Sequence, residues 1–219
     1  KLDPLWAKLE KAKNHYFEFG EYRKRIWLDE NPWRLRILGK TIRIRVPSCW
    51  NSIPGLEHYQ GKAQYLYPLP NWKEDKRLFL CFRAVSGFSR VFLIAEDENF
   101  RVIAQSLVGE HQTSFSGFEF EITQALSQLN KLNPKNLDLL VEVDNRLSKK
   151  ALPGKYPGWK QIGGIYQEVY LEERSPLFLK EVKIQAEPDS GIGKLEIKVL
   201  LDNAFAKEGQ YKIEVELLG

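Results

Sequence analysis

Apolar and polar residues alternate along much of this chain with the two-residue period of strands that have one buried and one wet face. Phe118, Phe120 and Ile122 alternate with Glu119 and Glu121. Leu137, Leu139, Val141 and Val143 do the same, with Asp138, Glu142 and Asp144 mostly between them. Residues 34–37 and 41–46 also alternate and are joined by Leu38-Gly39-Lys40, which predicts a hairpin. Residues 77–85 and 90–95 are apolar enough to be strands buried on both faces. Helical signals are few. Asp3-Pro4 followed by Leu5, Leu9 and Ala12 reads as a short capped helix. Thr123 closes the preceding strand and is placed to cap a helical turn over residues 124–129. Residues 47–61 read as loop. Gly163-Gly164 supplies the backbone freedom for a sharp turn before Ile165 enters a strand.

A linker is expected at Arg174-Ser175-Pro176. Beyond it come three strand signals: Val182 and Ile184, then Leu195, Ile197 and Val199, then Ile213, Val215 and Leu217. Three strands cannot close a sandwich, which takes about seven strands and ~100 residues. The pattern therefore predicts an all-β chain, with one complete β-sandwich over 1–174 and an incomplete one over 175–219.

Composition narrows the class. At 219 residues with 43% hydrophobic side chains, the chain has material for one full core and part of another. The net charge of +4, from 33 basic and 29 acidic residues, fits a globular protein rather than a dedicated nucleic-acid binder. No apolar run approaches the ~20 residues of a membrane helix. Cys49 and Cys81 are too few for a disulfide framework, and Cys81, within Leu78-Phe79-Leu80-Cys81-Phe82, reads as a small buried thiol. With no secretory leader pattern either, a soluble protein of the cytoplasm is expected over a secreted one. The absence of any methionine predicts that translation did not begin at Lys1.

Several motifs recur in a fixed order: Val46-Pro47-Ser48-Cys49-Trp50-Asn51, His58-Tyr59-Gln60-Gly61, Val108-Gly109-Glu110-His111, Phe118-Glu119-Phe120-Glu121-Ile122-Thr123, Val143-Asp144-Asn145 and Gly163-Gly164-Ile165-Tyr166. Taken singly, each is ordinary sandwich architecture. In this order they resemble the N-terminal sugar-binding domain of glycoside hydrolase family 2, the beta-galactosidases, beta-glucuronidases and beta-mannosidases. The resemblance implies a galactose-binding-like jelly roll over 1–174, then the start of an immunoglobulin-like domain over 175–219 that breaks off partway. It also implies a parent enzyme that hydrolyses O-glycosyl bonds of beta-linked sugars, with both catalytic glutamates on a later barrel of the same polypeptide.

The chain departs from that pattern at the position nearest the sugar. The aspartate that the resemblance places six residues before the second glycine of the Gly-Gly turn is Gly158 here. Gln64-Tyr65-Leu66 replaces a usual Trp-Tyr-Arg, Gln167 a usual Arg, and Thr113-Ser114 a usual Gly-Gly, while residues 96–101 occupy the place of a short Asn-Gly turn. The substrate-binding candidates are accordingly aromatic: Trp159, Tyr156 and Tyr166, which offer flat faces to a sugar ring.

No catalytic residue is assigned. Glycoside hydrolysis needs two facing carboxylates about 5 to 9.5 Å apart, and Glu119 and Glu121 read instead as a solvated strand face. His15, His58 and His111 carry no metal-ligand spacing, and no phosphate loop or nucleophile elbow is present, so neither metal nor cofactor is implied. Residues 23–45 hold eight basic and two acidic side chains. Such a strip can track phosphates, pair with acidic faces such as that of Glu119 and Glu121, or protect a sheet edge; without a nucleic-acid motif, no nucleic-acid partner is assigned. The expected partners are a beta-linked carbohydrate and the parent's catalytic barrel, with homo-oligomerisation through open strand edges. Two other readings stay open: a free-standing carbohydrate-binding module, and a structural or protein-interaction sandwich.

Overall fold

In the computed structural model, residues 23–29, 31–72, 75–146, 161–188, 191–203 and 209–216 are described. The expected helix at 3–12 lies outside them. The chain divides into two compact units, Lys1–Glu173 and Arg174–Gly219.

The first unit is a β-sandwich. One sheet has four strands in the order β1 (Lys24–Trp27), β10 (Val169–Arg174), β5 (Arg77–Phe82) and β8 (Phe118–Glu121). The other has six: β3 (Lys40–Ile44), β2 (Trp33–Ile37), β4 (Lys62–Pro68), β9 (Asn136–Asp144), β6 (Phe88–Glu96) and β7 (Val102–His111). Alternation decides what goes inside. Trp33, Leu35 and Ile37 of β2 meet Ala63, Tyr65 and Tyr67 of β4, Leu139, Val141 and Val143 of β9, and Val91, Leu93 and Ala95 of β6 in one core. The facing sheet contributes Leu78, Leu80, Phe82, Val169 and Leu171. Among the described residues a single helix, α1 (Thr123–Asn130), buries Leu126 and Leu129.

Every residue of β5 is buried, as its apolar run predicts. β6 is different, alternating between buried and half-buried positions over its first half because its outer face lies open. The hairpin of β2 and β3 turns on two residues rather than three: Leu38 and Gly39 both have positive φ, and Lys40 already pairs with Ile37. Thr123 is not the cap of α1. Ile122 holds that position, and the Thr123 hydroxyl accepts from Leu78 N (2.9 Å), anchoring the helix start to β5. β10 begins at Val169, four residues later than the Gly-Gly turn suggests, because residues 163–165 pair with the loop after β3 instead.

The second unit holds a two-stranded sheet, β11 (Phe178–Glu187) with β12 (Lys194–Asp202). Val182 lies opposite Val199, Ile184 opposite Ile197 and Ala186 opposite Leu195, which makes one face apolar. Ile184 is 66% exposed and Val182 47% exposed, so this face is uncovered. The expected third strand does not form over residues 211–216, where Ile213 and Val215 are exposed.

Candidate functional site

Four of the ordered motifs, at 46–51, 58–61, 143–145 and 163–166, converge on one junction at the Gly163-Gly164 turn. The loop after β3 folds into a 3-10 turn, Trp50–Ser52, which buries the Trp50 indole. Two backbone bonds then zip that loop to the turn: Ser48 N to Ile165 O and Trp50 N to Gly163 O, both 2.8 Å. Asn51 makes the junction three-way. Its Oδ1 accepts from Gly163 N (2.7 Å), and its Nδ2 donates to the carbonyls of Leu56 (3.0 Å) and Tyr59 (3.2 Å). Asn145, at the end of the β9 motif, accepts from Gly61 N (2.8 Å) and is fully buried.

Only glycine fits the centre of this junction. A Cβ on Gly163 would lie 2.1 Å from the Trp50 indole, and one on Gly164, at φ +131, would lie 2.7 Å from Tyr65 Oη. The Tyr65 ring stacks with Trp50 at 6.4 Å between centroids, and burial drives its phenol well above the ordinary pKa. Trp33 extends the cluster to Tyr67 at 4.8 Å.

The segment after β7 joins from the other side. Ser114 sits buried where the family pattern has glycine; its hydroxyl accepts from Gly87 N (2.9 Å) and from Gln161 Nε2 (3.2 Å). The Tyr166 phenol donates to the Ser114 carbonyl. His111 packs against the Phe118 ring at 4.0 Å and bonds Thr113 Oγ1 at 2.9 Å, and burial lowers its pKa. Of the aromatic candidates, Tyr166 is thus half-buried with its hydroxyl engaged, while Tyr156 and Trp159 lie outside the described residues.

Several carboxylates are taken up in ion pairs. Glu121 receives a two-point contact from the buried Arg77 (3.0 and 2.7 Å), not from the basic strip at 23–45. That strip pairs elsewhere: Arg23 and Arg25 with Glu172 (3.1 and 2.9 Å), Lys24 with Glu173 (3.2 Å), and Arg34 with the buried Asp138. Glu142 is held by Arg90 at 2.6 Å and Asp144 by Arg146 at 2.9 Å. No cluster of His, Cys, Asp or Glu suited to a metal occurs among the described residues, and both cysteines are free thiols.

No family model matches the chain. A beta-galactosidase of Thermoanaerobacterium thermosulfurigenes is 27% identical over 163 residues, covering 73% of this chain and 21% of that protein. Bacteroides uniformis beta-glucuronidase 3 has a similar fold, with a TM-score of 0.65 and 17% identity over 81% of this chain and 26% of its own. A GH2 beta-galacturonidase of Eisenbergiella tayi, solved with galacturonate bound, gives a TM-score of 0.61 and 20% identity over 82% of this chain and 29% of its own. The chain therefore spans about a fifth of the length of the curated relative. In its sandwich fold and its ordered motifs, the chain is similar to the N-terminal β-sandwich region of beta-galactosidases and beta-glucuronidases of glycoside hydrolase family 2.

Proposed function

We propose that the chain is the non-catalytic N-terminal part of a glycosidase that hydrolyses O-glycosyl bonds of beta-linked sugars, with the catalytic barrel elsewhere in the same polypeptide. The observation that carries this reading is the use to which the motif residues are put. Asn51, Asn145, Ser114, Tyr166 and the paired glycines brace loops, and the acids Glu121, Glu142 and Asp144 are each paired with an arginine. Such a unit supplies a shaped, rigid wall. It supplies no general acid and nucleophile.

On this reading residues 1–174 are the jelly-roll domain and 175–219 the opening part of an immunoglobulin-like one. The uncovered apolar face of β11 and β12 supports that division, since a lone two-stranded sheet is marginal in water. Trp159, Tyr156 and Tyr166 remain the proposed sugar contacts, with Trp159 foremost.

The test is to extend the reading frame past Gly219, express the product and assay aryl beta-glycosides. Turnover by the long form and none by the 219-residue chain is the expected result; a long form without paired barrel glutamates or without turnover overturns the proposal. In the long form Trp159→Ala should raise KM severalfold with kcat little changed. Equal KM values for the two would remove Trp159 from the site.

A further inference from the structure

We propose that the outer face of the six-stranded sheet binds acidic oligosaccharides, in a groove of its own that takes no part in the chemistry. The choice of a saccharide rests on the glycosidase reading above; the charge of the groove does not.

The register places two polar rows side by side. Arg36, Gln64, Glu142 and Arg90 lie opposite one another across β2, β4, β9 and β6, and Lys62, Asp144 and Phe88 form the next row. Between them and the β2–β3 turn is a groove of about 690 Å³. It crosses four strands, about 14 Å at the usual strand spacing, which accommodates a short oligomer.

Its charges are unequal in kind as well as in number. The lining cations are Arg36, Lys40, Lys62, Arg90 and Arg146, against Glu142 and Asp144. Both acids are already occupied: Glu142 accepts from Gln64 Nε2 (2.9 Å) and Arg90 (2.6 Å), and Asp144 is clamped by Arg146. Arg36, Lys40 and Lys62 are exposed, and among the described residues their side chains make no hydrogen bond or close ion pair, although the charge of Lys62 is felt by Asp144 and that of Arg36 by Glu96 and Asp138. Three exposed cations without a hydrogen-bonded partner, on three adjacent strands, thus line one groove, beside the hydroxyl of Thr41 and the amide of Gln64.

This arrangement suits carboxylate or sulfate groups spaced along a hydroxyl-rich chain. It suits single-stranded nucleic acid poorly, because among the described residues the lining offers a single aromatic ring, Phe88, rather than stacking platforms for successive bases.

The test is calorimetry of the 219-residue chain with hexagalacturonate, cellohexaose and a short single-stranded DNA. Hexagalacturonate should bind in the submillimolar range, more weakly as salt rises, and at least tenfold more tightly than cellohexaose. The double variant Arg36→Ala/Lys62→Ala should lose at least tenfold in affinity with an unchanged near-ultraviolet circular dichroism spectrum. Lys180→Ala/Lys183→Ala, which removes the same charge from the second unit, should bind as the parent does. Equal binding of cellohexaose, tighter binding of DNA, the same loss in the Lys180/Lys183 variant, or no heat at millimolar hexagalacturonate would each overturn the proposal. None of these bears on turnover of neutral substrates by the long form, so the two proposals fail separately.

Discussion

Gly163 sets the tightest steric limit at the junction. A methyl group there would meet the Trp50 indole at 2.1 Å, and neither the ring, fully buried against Tyr65, nor the turn, bonded to Asn51 and Trp50 N, has room to retreat. Gly163→Ala should cost about 3 kcal/mol, the upper end of overpacking effects, read as a fall in urea midpoint. Leu38 is the converse case. It adopts φ +49 in a two-residue turn while 62% exposed, so its side chain contributes little and its backbone is strained. Leu38→Asn should stabilise by roughly 0.5–1 kcal/mol without changing the denaturant slope. Glu96 tests electrostatics. Burial, then the charge of Asp138, raises its pKa above the ordinary 4.5, so the fold holds its proton more tightly than the unfolded chain does and loses stability as pH rises past that value. Glu96→Gln should therefore raise the melting temperature at pH 7 and leave it nearly unchanged at pH 3. His111 acts in the opposite sense: burial lowers its pKa below 6.5, so its contribution is present above that pH and is lost as the unfolded chain takes up a proton below it. At this scale the glycines were legible in the sequence because their chemistry is local. The partners of Glu121 and Asp138 were not, since Arg77 and Arg34 reach them only through strand pairing.

At the scale of elements, alternation located β2, β3, β8 and β9 to within a few residues, and an apolar run located β5. Alternation failed at β4, where Tyr65, Leu66 and Tyr67 are all buried and the period disappears. It also failed at the start of β10, since Gly163 and Ile165 hydrogen-bond to the loop after β3 rather than to a strand. The turn between β6 and β7 lacks the expected Asn-Gly. Asp97 organises it instead, its Oδ1 accepting from Asn99 N (2.8 Å) and Arg101 N (2.9 Å). The junction itself was visible only as separate motifs; that they meet is a property of the fold. Asn51 joins three of its segments, so Asn51→Ala should strand the Gly163 amide and the carbonyls of the 56–59 loop and cost about 2–4 kcal/mol, with protection from hydrogen exchange lost first in both loops. Asn51→Asp, which keeps the acceptor and loses the donors, should fall between.

Over the whole molecule, the two units should behave unlike one another. The first has a closed core and ought to unfold cooperatively. The second presents an apolar face on a two-stranded sheet, and the chain should self-associate through it in a concentration-dependent way. Val182→Lys/Ile184→Lys should shift sedimentation toward the monomer, and a strictly monomeric parent would show that the face is covered by other means. The all-β class was legible from the strand count alone. Which acids remain uncommitted was not, because ion pairing across sheets depends on register.

Strand order in the first unit has a further consequence. β1 and β10 are neighbours, with Lys24 opposite Glu173, so the unit's first and last strands lie side by side. A version of the unit that starts at β1 and ends at β10 can have those ends joined by a short linker and new ends opened at the exposed β6–β7 turn, giving a rearranged gene whose product has the same sheets. During synthesis the same adjacency imposes a wait. The edge strand made first has no partner until the segment made last leaves the ribosome, so the four-stranded sheet cannot be completed before then.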